Sequence, residues 1–136
     1  MMKKIALVSV IDDDRFFQFS TRKIVEATNL VENLIEFSDG EIAIQYFLAH
    51  KDEEAKLPDL VFLDLNMPYM DGWQFLDEFT TNTFKKELIT IYISTSSDSK
   101  YDRDKFLTYP KLKGYLIKPI SKSQFQEVLE AELGLV

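Results

Sequence analysis

Four positions in this chain pair chemically capable side chains with the end of an apolar run. Asp12-Asp13 follow Ile5–Ile11, Asp64 follows Leu60–Leu63, the hydroxyl cluster Ser94-Thr95-Ser96-Ser97 follows Leu88–Ile93, and Lys118-Pro119 follow Gly114–Ile117. Three carboxylates brought into contact repel one another and raise each other's pKa unless a cation neutralises them. A hard divalent ion such as Mg²⁺ suits them, because it takes oxygen ligands, keeps several waters and shares its shell with a phosphate oxygen. A lysine and a hydroxyl nearby complete a cradle for a phosphoryl group. An aspartate can itself be the nucleophile, giving an acyl phosphate.

The elements that must position these residues can be taken in order. Ile5–Ile11 is apolar almost throughout and lacks helical periodicity, as a strand buried on both faces requires. From Arg15 to about Asn29, Phe17, Ile24 and Val25 form a helical stripe that Thr21 and Thr28 extend. Leu34–Phe37 reads as a short second strand. Ser38-Asp39-Gly40-Glu41 matches a capping box, with Ser38 as the capping residue. Ala43, Ile44, Phe47 and Leu48 then mark a second helix, and His50–Pro58 reads as a charged, solvated loop.

After the strand ending at Asp64, Gly72, Phe75, Leu76 and Phe79 share one face of a third helix. Leu88–Ile93 is a fourth strand, and Asp98–Leu107 a weak helix stopped by Tyr109-Pro110. Gly114–Ile117 is a fifth strand. Ser121 opens a second capping box, followed by Phe125, Val128, Leu129 and Leu133 on one helical face. Asp14 is expected to cap the first helix.

Strands alternating with helices predict an α/β fold, a parallel sheet with helices on both faces. Ligands of such sheets sit beyond the carboxyl ends of the strands, and that is where the capable residues fall. The 136-residue length fits one domain, and 46% hydrophobic with 29% charged residues fits an ordinary globular protein. A formal charge of −7 argues against direct nucleic-acid binding. No run approaches the ~18 apolar residues of a membrane span, so no membrane insertion is expected. The absence of cysteine suits a reducing, cytoplasmic setting.

These residues carry a resemblance over nearly the whole chain. Asp12-Asp13, Asp64 with Met67-Pro68 and Gly72 behind it, a hydroxyl thirty residues on, and Tyr115-x-x-Lys118-Pro119 resemble the receiver domain of two-component response regulators, of the stand-alone chemotaxis-regulator type. The resemblance implies a flavodoxin-like doubly wound sheet of order 2-1-3-4-5 with five helices. It implies Asp64 as phospho-acceptor, Asp13 as a direct Mg²⁺ ligand, Asp12 as a ligand through water, and the backbone carbonyl of Asn66 as another. Lys118 would pair with the phosphoryl oxygens, Ser94 would be the hydroxyl that moves toward them, with Thr95 the alternative, and Tyr115 would be the aromatic switch.

The implied partners are a sensor histidine kinase or histidine phosphotransfer protein upstream and a protein effector downstream. Residues 1–136 are expected to form a single receiver domain with no output domain, a signalling switch rather than an enzyme. Two other readings compete. A degenerate receiver would bind protein without taking Mg²⁺. A haloacid-dehalogenase-type phosphatase would use Asp12 as nucleophile, although Phe16 stands where that family has Thr or Val. The stretch Tyr101–Lys113 lacks the Gly-Ala that often precedes the fifth strand in receivers, carrying Tyr109-Pro110-Lys111 instead.

Overall fold

Five parallel strands form one sheet in the order β2-β1-β3-β4-β5. They are β1 (Ile5–Ile11), β2 (Val31–Phe37), β3 (Leu60–Leu63), β4 (Thr90–Thr95) and β5 (Leu112–Ile117). The helices between and after them are α1 (Arg15–Thr28), α2 (Gly40–Ala49), α3 (Gly72–Thr81), α4 (Lys100–Phe106) and α5 (Lys122–Glu132). This computed structural model describes residues 3–135, so Met1, Met2 and Val136 of the expected 1–136 domain lie outside the described residues.

The unbroken apolar runs of the central strands follow from burial on both faces. Val8, Val10, Leu60 and Phe62 point to a layer with Phe125, Val128 and Leu129 of α5. Ile11, Val61, Leu63, Ile91 and Ile93 point to the opposite layer, with Phe47 of α2 and Phe75, Leu76 and Phe79 of α3. Aromatic rings fill that second layer: Phe47 meets Phe75 edge-on at 5.6 Å between centroids, and Phe79 stacks on Phe84 at 5.0 Å. Each fully buried ring of this kind contributes about 2–3 kcal/mol by area alone.

Several sequence expectations shift at their edges. Asp39, not Ser38, caps α2: its backbone is extended and its carboxylate accepts from the Ile42 amide at 2.8 Å. β2 starts at Val31, because pairing with β1 begins at Ile5↔Val31. β4 runs Thr90–Thr95 instead of Leu88–Ile93, since Leu88 is 86% exposed while Ser94 and Thr95 go on pairing with Leu116 and Ile117. β5 begins at Leu112 and α4 is trimmed to Lys100–Phe106 behind an Ser99 cap. The His50–Pro58 loop holds one 3₁₀ turn, Glu54–Lys56. Asp14 caps α1 through the amides of Phe16 and Phe17, and the Ser121/Gln124 box caps α5, both as expected.

Candidate functional site

The carboxyl edge of the sheet gathers residues that are far apart in sequence. β1 delivers Asp12 fully buried, held by its amide on the Phe37 carbonyl at 3.0 Å. One oxygen of Asp12 accepts from the Asp14 amide at 2.9 Å and the other from Lys118 Nζ at 2.7 Å. β3 delivers Asp64, whose amide donates to the Ile11 carbonyl at 2.9 Å. Carboxylate oxygens of Asp12, Asp13 and Asp64 all lie within 4.8 Å of one another. Asp12 and Asp64 are buried and Asp13 is exposed, so the cluster opens to solvent on one side.

Behind Asp64, α3 is drawn in tightly. Gly72 donates to the Leu65 carbonyl at 2.9 Å, and a Cβ at Gly72 would fall 2.4 Å from the Asp64 carbonyl oxygen. An Asp71/Gln74 capping box then starts the helix. Asn66 is exposed beside the acid, its amide 3.4 Å from Asp64 Oδ1.

Lys118 reaches the site from the end of β5, where its amide donates to the Thr95 carbonyl at 2.8 Å. Its Nζ lies 3.9 Å from Asp64 Oδ2 and 4.2 Å from the Phe17 ring centroid. Burial, followed by repulsion from Asp12, pushes the Asp64 carboxyl up to about 7, against the pull of Lys118. Burial likewise raises Asp12, although Lys118 and the Asp14 amide oppose it. The three crowded carboxylates are the oxygen donor set that a hard divalent cation fits, with the Lys118 ammonium beside it as a competing positive charge.

The two candidate hydroxyls separate by strand alternation. Thr95 follows Ile91 and Ile93 on the α3 side of the sheet, where Tyr115 also packs, and Ser94 follows Tyr92 toward the α5 side with Leu116. Thr95 Oγ1 accepts from the Ser97 amide at 3.1 Å. Ser94 Oγ is buried with no hydrogen-bond partner among the described residues. Tyr115 is half-buried, its hydroxyl donating to the Ser97 carbonyl at 2.7 Å and its ring edge-on to Phe106 at 5.6 Å.

Some participants gave no sequence signal. The Gln18 amide donates to the carbonyls of Asp12 and Phe37 at 2.7 and 3.0 Å, fixing the β1 tip from α1, and only the fold brings it there. Phe17 looked like stripe alone yet also faces Lys118. His50 stays in the loop after α2, paired with Glu53 at 2.9 Å.

A doubly wound parallel sheet with an acidic cluster and a lysine at its carboxyl edge defines a flavodoxin-like domain with an acidic pocket at that edge. The family is settled by comparison: the response regulator receiver domain matches residues 8–130, and the chain belongs to that family. It is 32% identical to the transcriptional regulatory protein HprR of Escherichia coli over 96% of this chain and 51% of that protein. It is 24% identical to the probable methanogenesis regulatory protein FilR2 of Methanothrix harundinacea, over 94% of this chain and 84% of that one. Among solved structures, a two-component response regulator from Cytophaga hutchinsonii superposes with a TM-score of 0.83 at 24% identity, covering 97% of this chain and 99% of that one. Receiver domains are signalling switches that interact with kinases and downstream effectors, and they bind Mg²⁺ at an acidic pocket. No helix among the described residues is long and apolar enough to cross a membrane.

Proposed function

We propose that residues 1–136 act as one cytoplasmic receiver domain that accepts a phosphoryl group on Asp64 from a histidine kinase or histidine phosphotransfer protein and signals to a protein effector. The observation that carries this reading is the convergence of Asp12, Asp13 and Asp64 within 4.8 Å, with Lys118 Nζ 3.9 Å from the Asp64 carboxylate. Asp13, Asp64 and the Asn66 backbone carbonyl would hold Mg²⁺ directly, and Asp12 through water. Bound there, the ion would neutralise the carboxylates and the charge on the transferring oxygens.

An Asp64 oxygen attacks the phosphorus of the donor phosphohistidine; the P–N bond breaks, its electron pair returns to the imidazole, and an acyl phosphate remains on Asp64. Lys118 moves from its contact with Asp12 onto the phosphoryl oxygens. Thr95 is the better candidate for the hydroxyl that follows, because it shares a face with Tyr115 and Ser94 does not. The shift biases a two-state equilibrium of Tyr115 and the surrounding α4–β5 surface.

The alternatives fit less well. Asp12, the nucleophile of a phosphatase reading, has both oxygens engaged, and a degenerate receiver has no need of the full acidic set. The test is beryllofluoride with Mg²⁺: the wild type should show a conformational response that Asp64→Asn abolishes. A response surviving in Asp64→Asn would sink the proposal.

A further inference from the structure

Each of the polar groups of Ser97 is engaged, its hydroxyl also lying near Ser99. Its amide donates to Thr95 Oγ1 at 3.1 Å, its carbonyl accepts from the Tyr115 hydroxyl at 2.7 Å, and its own hydroxyl donates to Asp102 Oδ2 at 2.5 Å. The other oxygen of Asp102 accepts from the indole Nε1–H of Trp73 at 2.9 Å. Trp73 is buried and directly follows Gly72, the residue pressed against the Asp64 carbonyl. A line of contacts therefore runs from Asp64 through Gly72, Trp73 and Asp102 to Ser97, where it meets both Thr95 and Tyr115.

Two features say that this line does more than fill space. α4 has seven residues and none of them is fully buried, Phe106 alone packing partly against the core, so polar ties add much to where it sits. Asp102 is the tie that reaches both α3 and the β4–α4 loop. Although burial pushes its carboxyl upward, hydrogen bonds from Ser97, Trp73 and Ser99 outweigh it and hold Asp102 below the usual carboxylate range. An ionised acceptor makes each of these bonds about twice as strong as a neutral pair. The indole is held from its faces as well, stacked on Tyr109 at 5.4 Å with Lys105 Nζ 5.5 Å from the ring centroid.

We propose that Asp102, anchored by Trp73, is a positioning residue for the switch: by fixing Ser97 it orients the Thr95 hydroxyl and holds Tyr115 inward. The proposal rests on the phospho-acceptor reading above. It gives the receiver a second connection between Asp64 and Tyr115, through α3 and α4, alongside the direct one through Thr95. Asp102 touches no reacting atom.

The test is a double-mutant cycle with Asp102→Asn and Tyr115→Phe, read as beryllofluoride affinity of the whole chain in Mg²⁺ by ¹⁹F NMR. Contacting or network-sharing residues couple, and independent sites multiply. Asp102→Asn alone should change beryllofluoride affinity by roughly three- to tenfold, within the range over which network-sharing residues couple. Adding Tyr115→Phe should then change it much less than it does in the wild type. Mg²⁺ affinity without beryllofluoride should stay put, which general damage to the fold would not allow. If Asp102→Asn does not fold, Trp73→Phe serves: it removes the indole donor to Asp102 while keeping an aromatic ring against Tyr109, and it should show the same non-additivity at smaller size. Independent multiplication, or an unchanged affinity, overturns the proposal while leaving the phospho-acceptor reading intact. Failure of the wild type to bind beryllofluoride overturns both.

Discussion

Lys118 Nζ lies 2.7 Å from Asp12 Oδ2 although 106 residues separate them. The same ammonium is 3.9 Å from Asp64, so before any cation arrives it is the main neutralising charge of the pocket. Lys118 therefore competes with Mg²⁺ for the carboxylates and cooperates with it once a phosphoryl group is present. Lys118→Met should bind Mg²⁺ about tenfold more tightly at low salt and pH 8, while losing most of its phosphorylation. Calorimetric Mg²⁺ titration beside a phosphorylation assay checks both; weaker Mg²⁺ binding contradicts this role.

The acid cluster also makes stability depend on pH. Asp64 holds its proton up to about 7 when folded, whereas its ordinary value is 3.8. Between those values the folded state binds more protons than the unfolded chain, so metal-free stability falls as pH rises from about 4 to about 7. Asp64→Asn removes that loss and should stabilise the metal-free protein at pH 8 by on the order of 2 kcal/mol. Denaturant melts with and without Mg²⁺ across this range measure it. A flat metal-free profile argues against the buried, crowded acid.

Gly72 tests how closely α3 must approach Asp64. Its added Cβ would sit 2.4 Å from the Asp64 carbonyl and 2.9 Å from Leu65 Cα, both backbone atoms that cannot swing aside. Gly72→Ala should cost about 1–3 kcal/mol and weaken Mg²⁺ binding by displacing the β3–α3 loop. Retained stability and affinity would show that the loop relaxes freely.

The neighbouring hydroxyls of β4 should behave differently. Ser94 Oγ is buried without a partner among the described residues, so Ser94→Ala sheds an unsatisfied group and should be neutral or stabilising by up to about 1 kcal/mol. Thr95→Ala removes the acceptor of the Ser97 amide and should uncouple beryllofluoride binding from the Tyr115 environment, followed by the tyrosine ring signals in NMR. The reverse pattern would restore Ser94 as the moving hydroxyl.

The strand ends were legible because burial on both faces leaves a long apolar run; a lone acid at such a tip more often caps the next helix, as Asp14 and Asp39 do, so it was the four tips taken together that marked a site. Asp12, Asp13, Asp64 and Lys118 were readable for that reason, and the structure brings them together. Ser94 and Thr95 were not separable, since a count from Asp64 ignores which face of β4 each occupies. The Ser38 cap was misplaced by one residue because Ser38 and Asp39 are both able acceptors, and only backbone geometry chooses Asp39. Gln18 and the Trp73–Asp102 bond were invisible: Gln18 of α1 reaches the backbone carbonyls of Asp12 and Phe37, Trp73 of α3 meets Asp102 of α4, and each meeting depends on where the helices pack.

The most direct test of the central claim is intact-mass and peptide mass spectrometry after incubation with acetyl phosphate or phosphoramidate in Mg²⁺. The expected result is one added phosphoryl group located on Asp64, absent in Asp64→Asn and absent when Mg²⁺ is chelated. A phosphoryl group that persists in Asp64→Asn, or none on the wild type under these conditions, contradicts it.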